Sequence, residues 1–395
     1  MITIVEVPST RRVKKALEPM RKLLTQLDYT PSLDRVFIKP NMVDAVGPLE
    51  AVDTDPVLVE ALVIALNEKG TVKEFVIGDG SAYFSSEARN WERLIENSGY
   101  KVMIDRLQES GINARLFNVE DDERDEYEWK FGTLKLPHIC KTHAYINFAK
   151  MKTHVHTTVT LTLKNQKGLL CLGDKKQFHL GKKYENLHEA IHELGSTIQP
   201  ELCLIDATRA LEGSGPATAP GGQTKVRKLN LLMGGTNMVE LDNAACTLMG
   251  IDIESVSHLP LSEVTVVVGS KPLSPVNPPF IKPELEIKMS DSIYRHTFET
   301  CCTGCQMSLS RMFRKIMFVP ENREKFIKYQ KENPRSDILM GKMDDSVVEE
   351  IAAQNGVLIF FGNCTKKLSE KFGGKHIPGC SPDHNEAIGI ILNDP

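Results

Sequence analysis

The sequence lacks any uninterrupted apolar run of transmembrane length, and its amino terminus, MITIVEVPSTRRVKKALEPM, lacks the long apolar segment of a signal peptide. We therefore expect a cytoplasmic protein with no membrane partner. The chain also lacks an excess of basic residues, since its formal net charge is −4. This charge argues against a general nucleic-acid or membrane-surface binder, although local basic patches are compatible with it.

The two common glycine-rich phosphate motifs, G-x-G-x-x-G and G-x-x-x-x-G-K-[ST], are also missing, so a standard dinucleotide site or P-loop is unsupported. No internal repeat is visible. The composition is that of an ordinary globular protein, with 41% hydrophobic and 25% charged residues. A chain of 395 residues is too long for one ordinary core, so two or three packed units are expected.

Short apolar runs alternate with longer amphipathic segments. The predicted buried strands are RVFIKP, EFVIGDG, KVMIDR, ARLFNV, AYINFAK, LCLIDAT and KLNLLMGG, and the predicted helices are PVLVEALVIALNEKG, SEARNWERLIENSGY and ENLHEAIHELGSTI. This alternation predicts an α/β fold with a mostly parallel sheet covered by helices on both faces. Ligands of such sheets collect at the carboxyl ends of the strands. IKPN, IGDG, FAKMKTH and IDAT lie at strand ends and should gather along this edge, the rim.

Three segments have compositions typical of the loops and linkers that connect helices, strands or domains. The acidic stretch around residues 120–133 predicts a solvated loop or hairpin. Residues 210–228 are rich in Gly, Pro, Ser and Thr and predict a long loop. Residues 268–283 hold five prolines and predict a linker. We therefore expect an α/β domain over residues 1–284 and a smaller C-terminal α/β domain over residues 285–395.

Nine cysteines are present, and an odd number in a protein without a leader argues against a disulfide framework. Cys203 and Cys246 sit in apolar runs and are typical of inert core residues. Five others fall between Cys301 and Cys380, where FETCCTGC is followed by FGNC and IPGCSP. FGNC and IPGC each end a short predicted strand. Two strands that each deliver a cysteine at the carboxyl end place both thiolates on one edge.

The four thiolates expected to converge are Cys302, Cys305, Cys364 and Cys380. Glycine-lined loops with four thiolates suit a [4Fe–4S] cluster, because small residues let backbone N–H groups approach the sulfides. Zinc is an alternative, although zinc sites of four cysteines usually use two CxxC pairs and only one is present. A redox dithiol or a set of inert cysteines is the other alternative.

The order CC, GxC and PGCxP resembles the cluster motif in the small subunits of respiratory complex I and the nickel–iron hydrogenases. In that motif the cysteines ligate one [4Fe–4S] cluster. This chain departs from it by a third nearby cysteine and by Ser381 in place of a proline. The resemblance therefore leaves Cys301 as the alternate to Cys302.

Residues 150–179 are dense in lysine and histidine. Ammonium and imidazole groups favour an anionic ligand such as phosphate or carboxylate, and histidine can act as acid or base near neutral pH. The alternation in VHTTVTLTLKN predicts an extended segment with His154 and His156 on one face. The catalytic candidates are Lys152, His154, His156, Lys164 and His179, and the substrate-binding candidates are Lys39, Asn41, Asp79, Asn165, Lys167 and Asp206. The alternatives are a solvated basic surface, or a divalent metal on His154, His156 and His179.

The strings IKPNMV, IGDGS, NFAKMKTH, TLTLKNQKGLL, DKKQFH, IDAT through GSGP, and ELDNAACTLMGID span roughly residues 35–252. Together and in this order they resemble the domain of unknown function 362 family. The resemblance implies that most of the rim candidates above, from Lys39 to Asp206, occupy the polar motif positions of that family. It also implies an iron–sulfur module after this domain, because members often carry one. It implies no particular substrate.

The leading hypothesis is an iron–sulfur oxidoreductase or electron-transfer component that acts on an anionic small molecule or a redox partner protein. One alternative is a non-redox [4Fe–4S] enzyme, such as a lyase, sulfur transferase or isomerase, with an open iron site. The other is an assembly factor that carries a cluster for delivery. A homo-oligomer is compatible with all three hypotheses.

Overall fold

The computed structural model describes residues 1–8, 12–80, 90–180, 187–217, 224–265, 269, 271–283, 290, 292–298, 301 and 303–392. Within these ranges, the side chains of Lys176, His179, Leu180, Thr303, Met307 and Arg314 are not described. The chain divides into two compact units. The first comprises Met1–Lys176 and His188–Pro283, and the second comprises Gln177–Leu187 and Glu284–Pro395.

The first unit is an α/β structure. Its strands are β1 (Ile2–Glu6), β2 (Arg35–Pro40), β3 (Glu74–Asp79), β4 (Ala114–Asn118), β5 (Arg124–Trp129), β6 (Gly132–Pro137), β7 (Ala144–His154), β8 (Thr158–Thr160), β9 (Leu202–Gly213) and β10 (Thr224–Gly235). Its helices are α1 (Val13–Gln26), α2 (Pro56–Asn67), α3 (Trp91–Asn97), α4 (Tyr100–Glu109), α5 (Ile139–Thr142), α6 (Thr162–Asn165), α7 (Leu172–Leu180), α8 (Leu187–Thr197) and α9 (Met238–Met249), with α7 continuing into the second unit.

The main sheet of this unit has the order β1-β10-β9-β7-β2-β3-β4, with β8 paired to β7. The strands from β9 to β4 are parallel, whereas β1 and β10 form an antiparallel edge. All of β7 is buried, as expected for the centre of a parallel sheet. Residues of α1, α2 and α4 share one hydrophobic core with the strands, through Met20, Leu62 and Met103 among others.

The second unit is a smaller parallel α/β structure with the sheet order β11-β12-β13-β14. Its elements are β11 (Ile293–Thr297), α10 (Thr303–Phe318), α11 (Pro320–Glu332), β12 (Ser336–Met340), α12 (Asp345–Ala352), β13 (Val357–Phe361), α13 (Lys366–Phe372), β14 (Lys375–Ile377) and α14 (His384–Leu392). Ile338 packs in the core with α10, α11 and α14, and its neighbour Leu339 packs in the core with α12 and α13. Helices therefore cover both faces, and the predicted α/β class with mostly parallel sheets is confirmed.

The prediction for the acidic segment is confirmed, and side-chain caps fix the starts of two helices. The acidic segment forms the β5–β6 hairpin. Asp383 caps α14, as its Oδ1 accepts hydrogen bonds from the backbone N–H groups of Asn385 (2.8 Å) and Glu386 (3.1 Å). Asp55 caps α2 by accepting from Val57 N–H (3.0 Å), with Pro56 in the first turn.

Three local predictions were wrong. KVMIDR is not a strand but part of α4, because Tyr100, Met103, Ile104 and Leu107 bury a helical stripe. The segment VHTTVTLTLKN is not one extended stretch, since β7 ends at His154 and a turn leads into β8 and then α6. Residues 210–228 are only partly a loop, because β9 continues to Gly213 and β10 begins at Thr224.

None of the helices within the described ranges combines the length and the apolarity that crossing a bilayer requires.

Candidate functional site

The rim of the main sheet gathers polar side chains from four neighbouring strands. The parallel register places Lys39 of β2 beside Asn147 of β7, and Lys150 of β7 beside Asp206 of β9. Asp79 ends β3, which is the next strand along. Because the carboxyl ends of parallel strands meet at one edge, residues far apart in sequence share this site.

Lys39 and Asp79 form a buried ion pair. Lys39 Nζ lies 2.9 Å from Asp79 Oδ1, and the side chains are 0% and 3% exposed. Asp79 Oδ2 also accepts from Met42 N–H at 2.9 Å. Burial lowers the pKa of Lys39, and the Asp79 carboxylate opposes this shift. The pair joins the ends of β2 and β3, and each side chain holds the other in place.

Three asparagine side chains, those of Asn41, Asn165 and Asn147, form a chain of hydrogen bonds next to this pair. Asn165 Oδ1 accepts from Lys39 Nζ (3.0 Å) and from Asn41 Nδ2 (3.1 Å), while Asn165 Nδ2 donates to Asn147 Oδ1 (2.7 Å). These bonds attach α6 to the ends of β2 and β7. Within the described part of the chain, the buried Asn41 Oδ1 accepts no hydrogen bond.

Lys150 and Asp206 form a second buried ion pair, in which Nζ lies 2.7 Å from Oδ2 and both side chains are 0% exposed. Asp206 Oδ2 also accepts from Asp55 N–H at 2.9 Å. Its Oδ1 accepts from Thr208 N–H at 2.9 Å and from the Thr208 hydroxyl at 2.6 Å. This carboxylate therefore joins β7, β9 and the start of α2. Sequence reasoning had not placed Lys150 among the site residues, although it alternates with Lys152 and His154.

Lys152 and Asp53 influence each other through their charges. Lys152 Nζ donates to Val52 O at 2.6 Å, and Asp53 Oδ1 accepts from Val43 N–H at 2.5 Å. Asp53 Oδ2 is buried and has no hydrogen-bond partner among the residues that the structure describes. Burial lowers the pKa of Lys152 to about 7 and raises the pKa of Asp53 to about 7, and each charge partly opposes the shift of the other. These two groups can therefore hold or release a proton near neutral pH. Asp53 lies in a loop, and no sequence motif marked it.

A group of basic side chains surrounds Lys164. We call it the Lys164 cluster, and its members are Lys152, His154, His156, Lys164, Lys167, His188 and His258. His154 Nδ1 accepts from His156 N–H at 3.0 Å, and their ring centroids are 5.5 Å apart. The Nδ1 atoms of His188 and His258 lie 3.4 Å apart, with the rings stacked. The structure thus adds His188 and His258, from two distant segments, to the predicted residues.

The electrostatics of this cluster follow from burial and from like charges. Burial, together with Lys167 and Lys152, holds the pKa of Lys164 well below its ordinary value. Burial and the Lys164 ammonium in turn hold the pKa of His154 well below 6.5. Burial lowers the pKa of Lys167 to about 7. Such a site favours an anion, because an anion would offset charges that at present repel one another.

His179 belongs to α7, but its side chain lies outside the described residues. Within the part of the chain that the structure describes, no group of three or more His, Cys, Asp or Glu side chains could hold a metal ion. The alternative of a divalent metal on His154, His156 and His179 therefore gains no support from the described residues.

We expect the buried His258 to make the first unit less stable in acid. Burial, with His188, Lys164 and His192 beside it, lowers the pKa of His258 from 6.5 to about 3. Between these values the unfolded chain binds a proton that the folded chain excludes, so stability falls as the pH falls from 6.5 toward 3. The slope from this residue is about 1.4 kcal/mol per pH unit.

The measurement is urea unfolding of wild type and His258→Gln between pH 6.5 and 4, followed by tryptophan fluorescence. Both tryptophans, Trp91 and Trp129, lie in the first unit. Wild type should lose stability more steeply than the variant, since only wild type carries the excluded proton. Parallel pH profiles of the two proteins would contradict the expectation.

The second unit brings two of the predicted cysteine ligands together. Cys305 Sγ lies 3.0 Å and Cys364 Sγ lies 3.8 Å from the point that a Cβ on Gly362 would occupy, and Gly379 O lies 3.6 Å from it. Gly362 has a φ of 99°, a conformation that favours glycine. A side chain here would press on Cys305 Sγ, so glycine at this position lets the buried Cys305 sulfur and the sulfur of the exposed Cys364 lie on either side of one small gap.

The loops that carry Cys364 and Cys380 are tied to each other. Asn363 N–H donates to Gly379 O at 3.0 Å, and Gly379 N–H donates to Asn363 Oδ1 at 2.7 Å. Cys364 and Cys380 are exposed, whereas Cys301 and Cys305 are buried in the core of this unit. Cys302 lies outside the described residues.

The donor set consists of thiolates, which suit a zinc ion or a [4Fe–4S] cluster. Among the described residues no group of three or more His, Cys, Asp or Glu side chains could hold a metal ion, and Cys302 lies outside those residues. In a [4Fe–4S] cluster each thiolate binds a different iron, so the ligands stand farther apart around a larger core. Thiolates on joined glycine-containing loops, with one position kept clear by Gly362, suit that arrangement.

Two comparisons with known proteins found similarity to this chain. A curated relative, the thylakoid-associated protein sll1697 of Synechocystis sp., is 26% identical over 254 residues, which cover 62% of this chain and 74% of that protein. The family model described as a domain of unknown function (DUF362) matches residues 36–247, more than half of the chain. The matched range contains the rim from Lys39 to Asp206 and ends before His258 and before the cysteines of the second unit. The chain therefore belongs to the DUF362 family.

Proposed function

We propose that this chain is an iron–sulfur protein of the oxidoreductase or electron-transfer class. Its C-terminal unit would hold a [4Fe–4S] cluster on Cys302, Cys305, Cys364 and Cys380, with Cys301 as the alternate to Cys302. Its first unit would bind an anionic small molecule at the Lys164 cluster, and a redox partner protein is the alternative electron donor or acceptor. A bound cluster supplies one-electron transfer.

The convergence of the Cys305 and Cys364 sulfurs over Gly362 carries this proposal. The hydrogen bonds between residues 363 and 379 support it, because they set the Cys380 loop beside the Cys364 loop. These contacts join segments that the sequence separates, and they form at the carboxyl ends of adjacent parallel strands. Cys364 and Cys380 are exposed, so these two cysteines do not serve as core filling.

The residues of the first unit support the anionic ligand. The Lys164 cluster supplies basic groups and N–H donors, and its side chains range from the buried Lys152 and His154 to the half-buried Lys164. Lys152 and Asp53 supply a group that can hold or move a proton at Nζ or Oδ2 near pH 7. Reduction or oxidation of an organic anion commonly requires such a proton donor or acceptor.

The test is anaerobic purification of the full chain, with iron and sulfide analysis and EPR after dithionite reduction. We expect about four iron and four sulfide per chain. Cys305→Ser and Cys364→Ser should lose most of the iron, and Gly362→Ala should lose much of it, because the new Cβ would lie 3.0 Å from Cys305 Sγ. Cys140→Ser is the matched control, since Cys140 lies in the first unit, and it should keep the wild-type iron content.

Oxygen-free protein without iron would end the proposal. A cluster that resists every reductant would remove its redox part and favour the non-redox alternative. Serine scanning of Cys301, Cys302, Cys305, Cys364 and Cys380 decides between three and four ligands, since only an open iron site loses its cluster at three positions. Ready transfer of the cluster to an apo-ferredoxin would favour the assembly factor.

We propose the cytoplasm as the place of action. The acidic net charge and the finding on membrane-spanning helices among the described residues support this location. The relative from Synechocystis sp. is named for thylakoid association. Cell fractionation should therefore assay the washed membranes as well as the soluble fraction. Recovery of the chain in the washed membranes would replace the cytoplasmic proposal with association at a membrane surface.

A further inference from the structure

We infer that three polar side chains of the second unit position the cysteine thiols before any cluster binds. These positioning residues are Ser308, Asn363 and His376. The inference rests on the cysteine ligands of the proposed function, and it names the side chains that hold the cysteine-bearing segments in place.

Asn363 holds the loop of Cys380 at two points. Its backbone N–H donates to Gly379 O at 3.0 Å, and its side-chain Oδ1 accepts from Gly379 N–H at 2.7 Å. Asn363 directly precedes Cys364, and Gly379 directly precedes Cys380. The two bonds therefore join the residues next to the two thiols, and the side-chain bond restricts rotation about the backbone bond. Asn363 is exposed and belongs to neither hydrophobic core of this unit, so its side chain orients the loops and fills no space between the helices and the sheet.

His376 fixes the peptide group from which the turn to Cys364 begins. His376 Nε2 lies 3.2 Å from Gly362 O, and because a carbonyl oxygen only accepts, the imidazole proton lies on Nε2. The same oxygen accepts from Thr365 N–H at 3.1 Å and from the Thr365 hydroxyl at 2.8 Å. Gly362 N–H donates to Ile377 O at 2.8 Å. β14 therefore holds Gly362 through both its N–H and its carbonyl group.

Ser308 ties the helix of Cys305 to the loop of Cys380. Cys305 and Ser308 are three positions apart in α10, so they lie on one face of the helix. Ser308 is buried, and its Oγ donates to Pro382 O at 2.5 Å. Pro382 lies two residues after Cys380. Separating α10 from this loop would leave a buried hydroxyl without its partner, which costs free energy.

These bonds close a ring around three of the thiols. The bonds of Asn363 join the Cys364 loop to the Cys380 loop, and the bond of Ser308 joins the Cys380 loop to α10. Cys305 of α10 lies beside the first of these loops. Every contact in the ring uses donors and acceptors of the chain itself. Structural metal sites often form only when the metal orders their ligands, whereas this site is ordered in advance and avoids much of that cost.

The first experiment uses the metal-free full chain and dibromobimane, a short reagent that links two thiols. Peptide mapping should find Cys364 linked to Cys380 in wild type, because both cysteines are exposed and their loops are joined. Asn363→Leu should lower the yield of this link by about fivefold, the factor that corresponds to about 1 kcal/mol for one net hydrogen bond. Asn363→Asp keeps the acceptor oxygen and should stay within about twofold of wild type. Labelling of single thiols with monobromobimane corrects each yield for thiol reactivity.

Two further variants and one control accompany this measurement. His376→Leu should also lower the yield of the link, because Gly362 O loses a donor. His376→Gln should restore most of it, since the amide N–H can replace Nε2–H. Gln354→Leu is the matched control. It replaces an exposed amide of the same unit by the same apolar residue and should link like wild type.

The second experiment measures the EPR spectrum and the midpoint potential of the cluster in the anaerobically purified full chain. Hydrogen bonds and geometry around the thiolates tune the potential of a cluster. Ser308→Ala should therefore shift both readouts beyond the error of replicate titrations. Ser310→Ala is the matched control on the same helix, because Ser310 Oγ donates within α10, to Gln306 O at 3.0 Å. It should leave both readouts as in wild type.

The outcomes separate this inference from the proposed function. Equal linking in wild type, Asn363→Leu and His376→Leu would overturn it, and so would a metal-free wild type in which Cys364 and Cys380 do not link. Asn363→Asp that behaves like Asn363→Leu would overturn the role of the acceptor oxygen. Wild-type readouts in Ser308→Ala would overturn the assignment of Ser308. Wild type without iron that still links the two cysteines would overturn the proposed function and leave the positioning of the thiols in place.

Discussion

Lys150→Met is expected to lower the free energy of unfolding of the first unit by about 3–5 kcal/mol. The pair of Lys150 Nζ and Asp206 Oδ2, at 2.7 Å, is 0% exposed on both sides. Removing the ammonium leaves the Asp206 carboxylate buried next to three N–H and O–H donors but without a counter-charge. Urea unfolding followed by the fluorescence of Trp91 and Trp129 reports this unit, because both tryptophans lie in it.

The matched control is Lys101→Met. Lys101 also forms an ion pair, with Asp105 at 2.8 Å, but the two side chains are 53% and 47% exposed. Its loss should cost about 0–1 kcal/mol, because water replaces the partner. The double variant Lys150→Met/Asp206→Leu should recover part of the loss, since no buried charge is left alone. A cost for Lys150→Met no larger than that of Lys101→Met would show that water reaches Asp206.

Gly168→Ala is the second change with a large expected effect. A Cβ at this position would lie 1.9 Å from Asp79 Oδ1 and 2.5 Å from Lys39 Nζ. The new methyl group must displace the Lys39–Asp79 pair or the turn that carries Gly168. Overpacking a buried position costs about 1–3 kcal/mol, and separating a buried ion pair adds to it, so we expect a loss of about 3 kcal/mol or more.

Gly173→Ala is the control for this change, because among the described residues its Cβ would meet only Cys171 Sγ, at 4.0 Å. Gly173 lies in α7, where alanine is the better helix former, so this variant should be neutral or slightly more stable. Fluorescence-detected urea unfolding measures both variants. Equal stability of Gly168→Ala and Gly173→Ala would mean that the rim can move apart at little cost.

The sequence pattern was sufficient for the strands that form the rim. RVFIKP, EFVIGD and AYINFAK each carry a continuous apolar run (VFI, FVI and AYI), and that pattern is typical of strands buried on both faces. Once these strands are parallel, the motifs that follow them must meet at one edge. This is why Lys39, Asp79, Lys152 and Asp206 could be grouped before the structure was known.

The pattern of apolar residues gave the wrong element where a short run fits both the period of a strand and that of a helix. KVMIDR is a short apolar run that fits a strand, and only the longer stripe from Tyr100 to Leu107 identifies α4. The turn at His156 was missed because alternating Thr and Val residues favour extended structure, whereas the backbone bond from His156 N–H to His154 Nδ1 favours the turn.

The candidate site was only partly predictable for another reason. Asp53 lies in a loop, His188 lies in the first turn of α8, and His258 lies beyond α9. None of these residues belongs to a motif near residues 150–179. They reach the site through long-range packing that local patterns do not encode. The proximity of the Cys364 and Cys380 loops was easier to predict, because each cysteine closely follows its own strand and adjacent parallel strands share an edge.

The pairing of β1 with β10 has a consequence for synthesis on the ribosome. Residues Ile2–Glu6 form the outermost strand of the main sheet, yet their partners are Leu231–Gly235. At about 5–20 residues per second, the nascent chain waits roughly ten to fifty seconds for that partner to be made. Meanwhile the apolar ITIV segment needs a chaperone or transient burial elsewhere. Expression fragments that stop before Thr224 would leave it permanently unpaired, and they should aggregate or be degraded.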